Sequence, residues 1–176
     1  MLEQFYPYEY AQSVFGIDYE KLYALGYRGL IFDVDNTLVH HGDPSTEEVD
    51  SFLLGLQSRG FKIVLLSDNE ASRLESFTAN THIPFVSDAE KPSPKGYEMA
   101  LGKLGLQRSE TIVIGDQIFT DIRGANASGF ASILVHYVTA PGQRVGKRRY
   151  IEKALLALWR RNKRLCQRLG SIERSA

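Results

Sequence analysis

The chain has 176 residues, about the length of one domain, and an ordinary composition for a soluble globular protein. Hydrophobic residues make up 43% and charged residues 24%, which excludes a disordered or collagen-like chain. No apolar run approaches the roughly 18 residues that a membrane-spanning helix needs, and the N-terminus lacks a signal-peptide pattern. The single cysteine, Cys166, excludes an internal disulfide and a thiolate metal site. These features predict a cytoplasmic protein.

The net charge of zero hides an uneven distribution along the chain. Residues 143–176 carry 11 of the 21 basic residues and 2 of the 21 acidic ones. Residues 1–142 therefore carry the other 10 basic and 19 acidic residues. The contrast predicts an acidic body, residues 1–142, followed by a basic segment, residues 143–176. A basic segment of this kind indicates an anionic partner.

The first 27 residues are crowded with aromatic side chains, eight in all. Five short runs rich in Ile, Val, Leu and Phe then follow, and none of them alternates between polar and apolar residues. Strands that are buried on both faces of a parallel sheet have this pattern. The five predicted strands are 29–33, 62–67, 83–87, 111–115 and 132–136.

Helical stretches separate these strands. Pro44 and a Ser/Thr–Glu capping pattern open the first stretch, and Asn or Gly residues suit the ends of the others. Strands that alternate with helices of this length predict βαβ units. We therefore expect a Rossmann-like three-layer α/β fold with a mainly parallel five-stranded sheet. The predicted helices are 45–59, 70–80, 93–104 and 120–128.

A last helix is predicted over residues 147–169, where apolar residues recur at spacings of three, four and seven and Asn162 interrupts the stripe. Its other faces carry most of the arginines and lysines, so the helix is amphipathic and basic. Such a helix suits the surface of an anionic bilayer. Its leucines could equally pack on the body or on a second subunit, and its charges could bind nucleic acid. The sequence leaves these alternatives open.

Charged and polar residues follow four of the five predicted strands. Because ligands of open parallel sheets bind at the carboxyl ends of the strands, these side chains are expected to converge. Clustered carboxylates repel one another, and Mg²⁺ is the cation best suited to relieve that repulsion. The cation and a lysine would neutralise a phosphoryl group, which leaves one carboxylate free to attack phosphorus. In chain order the residues are Asp33 with Asp35, Ser67, Lys91, and Asp116 with Asp121.

These residues stand in four ordered motifs, which resemble those of the haloacid dehalogenase-like phosphohydrolases over about residues 28–136. A receiver domain of two-component signalling also combines an aspartyl phosphate with a lysine. There the lysine comes last, whereas Lys91 precedes the last acidic motif here, so that interpretation is rejected. The motifs are Asp33-Val34-Asp35-Asn36-Thr37, Ser67, Lys91-Pro92 and the run from Gly115-Asp116 to Asp121.

The resemblance implies the chemistry of the acidic residues. Asp33 would be the nucleophile. Asp35 would protonate the leaving alcohol and then deprotonate the water that hydrolyses the aspartyl phosphate, so its carboxyl must be neutral for the first step. Mg²⁺ would be held by Asp33, by the backbone carbonyl of Asp35 and by Asp116.

The remaining residues of the motifs would support this chemistry. The resemblance implies that Ser67 and Lys91 bind the phosphoryl oxygens, and Lys95 competes with Lys91 as the motif lysine. Asp121 is expected to orient Lys91 or a metal-bound water. Thr37 is expected to bond the backbone of its loop.

The spacing of the motifs leaves no room for a cap domain, from which members of this family usually gain specificity. Asp35 and Ser67 are 32 residues apart, and Ser67 and Lys91 are 24 apart, enough in each case for one helix and one strand. An open site suits a phosphorylated macromolecule or a lipid head group, although a second subunit could supply the missing lid.

The aromatic lead-in, the segments DVDNTLV and LLSDN and the basic C-terminus resemble the capless branch, subclass III, that includes the phosphatidylglycerophosphate phosphatases. This resemblance implies hydrolysis of a lipid phosphate at the cytoplasmic membrane face, with residues 143–176 as a peripheral membrane contact. Two other hypotheses stay open. One is a phosphatase for soluble esters such as sugar phosphates or nucleotides, and the other is a nucleic-acid- or ribosome-binding protein with a vestigial phosphatase site.

Overall fold

The computed structural model describes residues 2–138, 146–162 and 164–173. Its strands are β1 Glu9–Ala11, β2 Gly29–Phe32, β3 Lys62–Leu66, β4 Phe85–Val86, β5 Thr111–Gly115 and β6 Ala131–Val135. All six lie in one parallel sheet, in the order β1–β6–β5–β2–β3–β4. The predicted Rossmann-like fold with a parallel sheet is confirmed.

The sheet has one strand more than the five predicted. β1 pairs with β6 at the edge of the sheet, with Tyr10 beside Leu134. Only three residues long and containing Glu9 and Tyr10, β1 lacks the apolar run by which the other strands were predicted. Glu9 is nevertheless buried, and its carboxylate accepts the backbone N–H of Leu169 at 2.9 Å, which offsets part of the cost of burying it.

Apart from the last, basic helix, the helices agree with the predicted ones, with two differences. A short helix, α1, precedes β2, where no helix was predicted, and its N-cap is Asp18, whose carboxylate accepts the N–H of Lys21. The helix predicted from residue 120 begins two residues earlier, as one wide π-helical turn over Ile118–Ile122 that leads into α5. The helices are α1 Tyr19–Ala24, α2 Glu47–Ser58, α3 Ala71–Phe77, α4 Pro94–Leu104, α5 Arg123–Ala127 and α6 Lys147–Arg161.

Helices cover both faces of the sheet, since successive side chains of each strand point to opposite faces. Leu30 and Phe32 of β2 belong to one buried cluster, and Ile31 belongs to the other. The first cluster includes residues of α1 and α2, and the second includes residues of α4 and α5. Each cluster joins the sheet to the helices on one of its faces, which gives the predicted three-layer sandwich.

The order in which strands are added to the sheet reverses at β2. From β2 it proceeds outward to β3 and β4, and it then returns to β5 on the other side of β2. Ligands of such sheets bind at this switch point, beyond the carboxyl ends of the strands. Phe32 pairs with Ile114, and the N–H of Asp33 donates to the carbonyl of Ile114 at 2.9 Å. The segments that follow β2 and β5 therefore emerge side by side.

The basic helix is shorter than predicted. α6 ends before Asn162, whose side-chain oxygen accepts the backbone N–H groups of Arg164 and Leu165 at 3.1 and 3.2 Å. This local hydrogen bonding competes with continued helix, as it often does for asparagine. The predicted helix over 147–169 therefore stops eight residues early.

The inner face of α6 and the residues after it pack on the body of the protein. Trp159 is buried, and Ile172 is buried with its carbonyl accepting the N–H of Asp18 at 2.6 Å. Of the predicted apolar stripe, Leu155 is buried, whereas Ile151 and Leu158 are 56% and 45% exposed, so this stripe packs on the body only in part. The predicted domain boundary at residue 142 lies in residues 139–145, outside the described residues.

Candidate active site

The residues predicted to carry the chemistry lie at the carboxyl edge of the sheet. An open pocket of about 290 Å³ is lined there by Asp33, Asp35, Ser67 and Lys91. Asp116 and Asp121 lie next to this lining, within reach of Asp33 and Lys91. All six predicted residues are thus brought together.

Asp33 and Lys91 form a buried ion pair in the pocket. The Lys91 Nζ atom lies 2.5 Å from Asp33 Oδ1 and 2.8 Å from Asp121 Oδ1, and the Lys91 side chain is only 5% exposed. Burial raises the pKa of Asp33 to about 6, with the charge of Lys91 opposing and that of Asp121 adding to the shift. Burial alone would lower the pKa of Lys91, but Asp121 and Asp33 raise it well above its ordinary value. Lys91 therefore stays charged against both carboxylates.

Asp116 joins Asp33 through the side chain of Thr37. The Thr37 hydroxyl lies 2.8 Å from Asp33 Oδ2 and 3.2 Å from Asp116 Oδ1, and its single proton is shared between these two carboxylates. The prediction that Thr37 bonds the loop backbone therefore misses its main contacts, which are with the two carboxylates. The pKa of Asp116 is raised well above its ordinary value by burial and by the charges of Asp33 and Asp121.

Asp121 is positioned by the π-helical turn and by Gly115, whose lack of a side chain leaves space for the Asp121 carboxylate. Its Oδ2 atom accepts the N–H of Gln117 at 3.0 Å. A Cβ atom on Gly115 would lie 2.4 Å from the Asp121 carboxyl carbon, so only glycine leaves room for this carboxylate. The Tyr97 hydroxyl lies 3.1 and 3.2 Å from the carbonyl oxygens of Thr120 and Asp121 and shares its single proton between them, which fixes the wide turn. Such turns often occur at functional sites.

The carboxylate cluster fits a hard divalent cation. One oxygen each of Asp33, Asp116 and Asp121 lies within 4.8 Å of the others, and all three residues are buried. In the described part of the chain, two cations, Lys91 and Arg149, pair with these three carboxylates, so the fully ionised cluster has one negative charge uncompensated. Oxygen ligands and excess negative charge are what Mg²⁺ and similar ions require. Asp33 and Asp116 could hold such an ion, with Asp121 beside them.

The carboxylate of Asp35 points away from this cluster. Its Oδ1 atom accepts the N–H of Gly42 at 2.8 Å and a hydrogen bond from Arg73 at 3.2 Å, and its Oδ2 atom accepts from Asn69. Burial alone would raise the pKa of Asp35, but these three donors and the charge of Arg73 lower it. The ionised form is therefore the stable one here, whereas the predicted first step needs the neutral form.

Ser67 lines the pocket with a hydroxyl whose proton is not used by another residue in the described part of the chain. The Ser67 Oγ atom accepts two hydrogen bonds from Asn69, one from the backbone N–H at 3.2 Å and one from the side-chain amide at 2.9 Å. A hydroxyl can accept twice and donate once. With both acceptor positions used, the proton remains to donate to a phosphoryl oxygen.

Sequence reasoning missed the part that α6 plays at the site. The Arg149 guanidinium pairs with the Asp116 carboxylate and donates to the Asp116 carbonyl at 2.6 Å. It also pairs with Glu152 at 3.0 Å, and Glu152 accepts the N–H of Ile118 at 2.9 Å. The spacing of Arg149 and Glu152 was the only available signal, and it indicates a helix-surface pair rather than contact with Asp116.

We expect Lys91→Met to destabilise the metal-free protein by about 3–5 kcal/mol, because it leaves two buried carboxylates without their cation. The measurement is urea unfolding at neutral pH in the presence of EDTA. Lys95→Met is the matched control, since Lys95 is exposed and its removal should cost little. Equal losses for the two variants would show that Lys91 does not neutralise the cluster.

The chain is similar to known phosphatases. A family model described as HAD-hydrolase-like matches residues 89–144, which include Lys91, Asp116 and Asp121. The chain is 32% identical over 164 residues to the probable phosphatase YqeG of Bacillus subtilis (strain 168), which covers 92% of this chain and 95% of that protein. It is 29% identical over 168 residues to the chloroplastic phosphatidylglycerophosphate phosphatase 1 of Chlamydomonas reinhardtii, covering 87% of this chain and 61% of that protein.

A solved structure shares the fold. The cobalt-bound deoxy-D-mannose-octulosonate 8-phosphate phosphatase of Haemophilus influenzae superposes with a TM-score of 0.52 at 15% identity, covering 77% of this chain and 87% of that one. Identity this low bears on the fold alone. The similarity to YqeG, which extends over nearly the full length of both chains, shows the family. The chain belongs to the haloacid dehalogenase-like superfamily, as its motifs predicted, and it is a phosphatase of that superfamily.

Proposed function

We propose that this phosphatase is a Mg²⁺-dependent phosphomonoesterase that hydrolyses phosphatidylglycerophosphate through an aspartyl phosphate on Asp33. The observation that carries the proposal is the pocket itself. The carboxylate of Asp33 lines this pocket and pairs with Lys91. The same carboxylate belongs to the cluster that fits a cation, and the pocket is open to solvent. Similarity to phosphatidylglycerophosphate phosphatases over most of the chain supports the lipid substrate.

In the first step, a carboxylate oxygen of Asp33 attacks phosphorus, and the bond from phosphorus to the glycerol oxygen breaks. Lys91 and the Ser67 hydroxyl hold the phosphoryl oxygens as negative charge moves onto them. A bound Mg²⁺, held by Asp33, Asp116 and the Asp35 carbonyl, would supply further neutralisation of that charge. Asp121 keeps Lys91 in place through their 2.8 Å contact.

Asp35 provides the proton for the leaving alcohol and later removes one from water. An arriving phosphate dianion disfavours the ionised carboxylate, because like charges in proximity raise the pKa of an acid. Substrate binding thus opposes the effect of Gly42, Asn69 and Arg73 and favours the neutral form that the first step needs. Once the alcohol has left with that proton, the ionised carboxylate is ready to act as the base that activates water.

The open rim suits a substrate that stays attached to a membrane. In the described segment 2–138, residues 36–66 hold α2 and β3, residues 68–90 hold α3 and β4, and neither contains an inserted cap domain. We therefore place the protein in the capless branch. A glycerol phosphate head group could enter this pocket while its acyl chains remain in the bilayer.

The outward side of α6 is the surface that we assign to the membrane. Tyr150, Ile151 and Leu158 are 67%, 56% and 45% exposed there, and we call these three residues the α6 outer face. Exposed arginines of the same helix, Arg160 and Arg161, lie at its C-terminal end. Apolar residues beside basic ones favour binding at an anionic interface. None of the helices in the described ranges is both long and apolar enough to cross a bilayer.

The proposed substrate is tested by phosphate release from phosphatidylglycerophosphate, glycerol phosphate, sugar phosphates and nucleotides with Mg²⁺. We expect the highest kcat/KM for phosphatidylglycerophosphate and loss of all activity in EDTA. A higher kcat/KM for a soluble ester would contradict the lipid assignment and favour the soluble-ester hypothesis. Salt-sensitive RNA binding without turnover of any ester would support the binding-protein hypothesis instead.

The role of the α6 outer face is tested by the double variant Ile151→Asp/Leu158→Asp. We expect this variant to lose flotation with vesicles that contain phosphatidylglycerol, while its hydrolysis of glycerol phosphate is retained, because both side chains are exposed. Leu25→Asp is the matched control. Leu25 is a similarly exposed leucine, at 49%, but it follows α1 and is not part of the α6 outer face. If the double variant still floats with these vesicles, membrane binding depends on another surface of the protein.

A further inference from the structure

Arg148 stands out among the cations that line the catalytic pocket. Lys91 is paired with two carboxylates, and His41 lies 3.8 Å from Asp35. Arg148 has no carboxylate partner among the residues that the structure describes, and its guanidinium lies 5.5 Å from the centre of the Phe119 ring. It is an exposed residue at the start of α6. Among the described residues, Arg148 is therefore the cation of this pocket whose charge no carboxylate neutralises.

The position of Arg148 is fixed by its neighbours on α6. Arg149 holds the carbonyl and the carboxylate of Asp116, and Glu152 holds the backbone N–H of Ile118. The Arg149 guanidinium also lies 4.4 Å from the centre of the Tyr137 ring. These contacts fasten the first turn of α6 to the segment that follows β5. Arg148 is thereby held at the pocket rather than on a free-standing helix.

The charges around the pocket favour Arg148 as the contact for a second anion. With the reacting phosphoryl group at Asp33, Lys91 and Ser67, the rest of the substrate must lie against the remaining lining. Asp35 and Asp68 line part of it and repel an anion. Gln117, Thr120 and Arg148 line another part, which is neutral apart from the arginine. A guanidinium is suited to phosphate because its forked donors can contact two oxygens.

We propose that Arg148 binds a second anionic group of the substrate and so determines specificity. This inference rests on the proposed function, in which the second group is the phosphodiester that links glycerol phosphate to the lipid. Simple monoesters lack that group. Arg148 would therefore distinguish phosphatidylglycerophosphate from glycerol phosphate without taking part in the chemical step.

The test compares kcat/KM for two soluble substrates, short-chain dihexanoyl phosphatidylglycerophosphate below its micellar concentration and glycerol phosphate. Neither substrate requires a membrane, so loss of bilayer binding cannot imitate the effect. We expect Arg148→Gln to lower the ratio of the two kcat/KM values about fivefold, through KM of the lipid substrate, as for the loss of one exposed charge-assisted contact. Arg148→Lys should lower it less, because the charge is kept. Lys147→Gln, which removes the neighbouring charge of α6, should leave the ratio unchanged.

An unchanged ratio in Arg148→Gln would overturn the inference, and so would an equal fall in Lys147→Gln, which would indicate a general effect of charge. These outcomes leave the proposed function standing, provided that the wild-type protein hydrolyses the short-chain lipid. A wild-type protein that hydrolyses glycerol phosphate but not the lipid would overturn both the lipid substrate and the inference built on it.

Discussion

Asp33→Asn is expected to reduce phosphatase activity about ten-thousandfold or more while leaving the protein folded, because removal of a nucleophile eliminates the covalent route. The asparagine keeps the shape of the side chain but cannot attack phosphorus as a carboxylate does. The measurement is the initial rate on a generic aryl phosphate, which needs no lipid-binding surface. Circular dichroism on the same samples reports whether the fold is retained.

Asp43→Asn is the control for Asp33→Asn, because Asp43 is exposed and lies in the loop that follows the first motif. It should retain wild-type activity. Substantial turnover by Asp33→Asn would contradict the assignment of Asp33 as nucleophile. A loss of activity accompanied by unfolding would be resolved by Asp33→Glu, which keeps the charge against Lys91 but displaces the carboxylate.

Asp116→Asn is expected to weaken Mg²⁺ binding about a hundredfold or more, since changes even in residues that only support metal ligands cost 10- to 100-fold. The Asp116 carboxylate lies in the cluster with Asp33, and a neutral amide there removes one of the charges that the cation would compensate. The measurement is isothermal titration of the metal-free protein with Mg²⁺. It reads binding directly and does not depend on turnover.

Asp88→Asn is the matched control for Asp116→Asn. Asp88 is exposed, lies outside the carboxylate cluster, and has a positive φ of 45°, which asparagine tolerates. Its Mg²⁺ affinity should equal that of the wild-type protein. Unchanged affinity in Asp116→Asn would exclude Asp116 as a ligand and would leave Asp33 and Asp121 as the candidates in the cluster.

The fold was largely predictable because strands buried on both faces form uninterrupted apolar runs. Lys62–Leu66 and Thr111–Gly115 are such runs, and the structure has strands at those positions. The edge strand Glu9–Ala11 could not be predicted in this way, because its pairing with β6 and the burial of Glu9 depend on contacts with residues far along the chain. α6 ends at the side chain of Asn162, which hydrogen-bonds to nearby backbone groups. In the sequence, Asn162 was interpreted only as a gap in the apolar stripe.

The site was predictable to the extent that it depends on the ends of strands. Asp33 and Asp116 follow neighbouring parallel strands, so their proximity follows from the sheet order once the switch point is known. The contacts of Asp35 with Arg73 and of Asp116 with Arg149 were not predictable, because they join surfaces of α3 and α6 to the loops after β2 and β5. Apolar periodicity indicates the buried face of a helix, but it does not show which loop the polar side chains of that helix contact.

The central claim, that Asp33 becomes phosphorylated during turnover, is tested most directly by acid quenching of the working enzyme followed by peptide mass spectrometry. The account predicts one phosphoryl group on the peptide that contains Asp33, and none in Asp33→Asn. A phosphoryl group on any other residue would contradict it. So would inversion of configuration at phosphorus, because a single direct attack by water inverts it, whereas two successive displacements through Asp33 retain it.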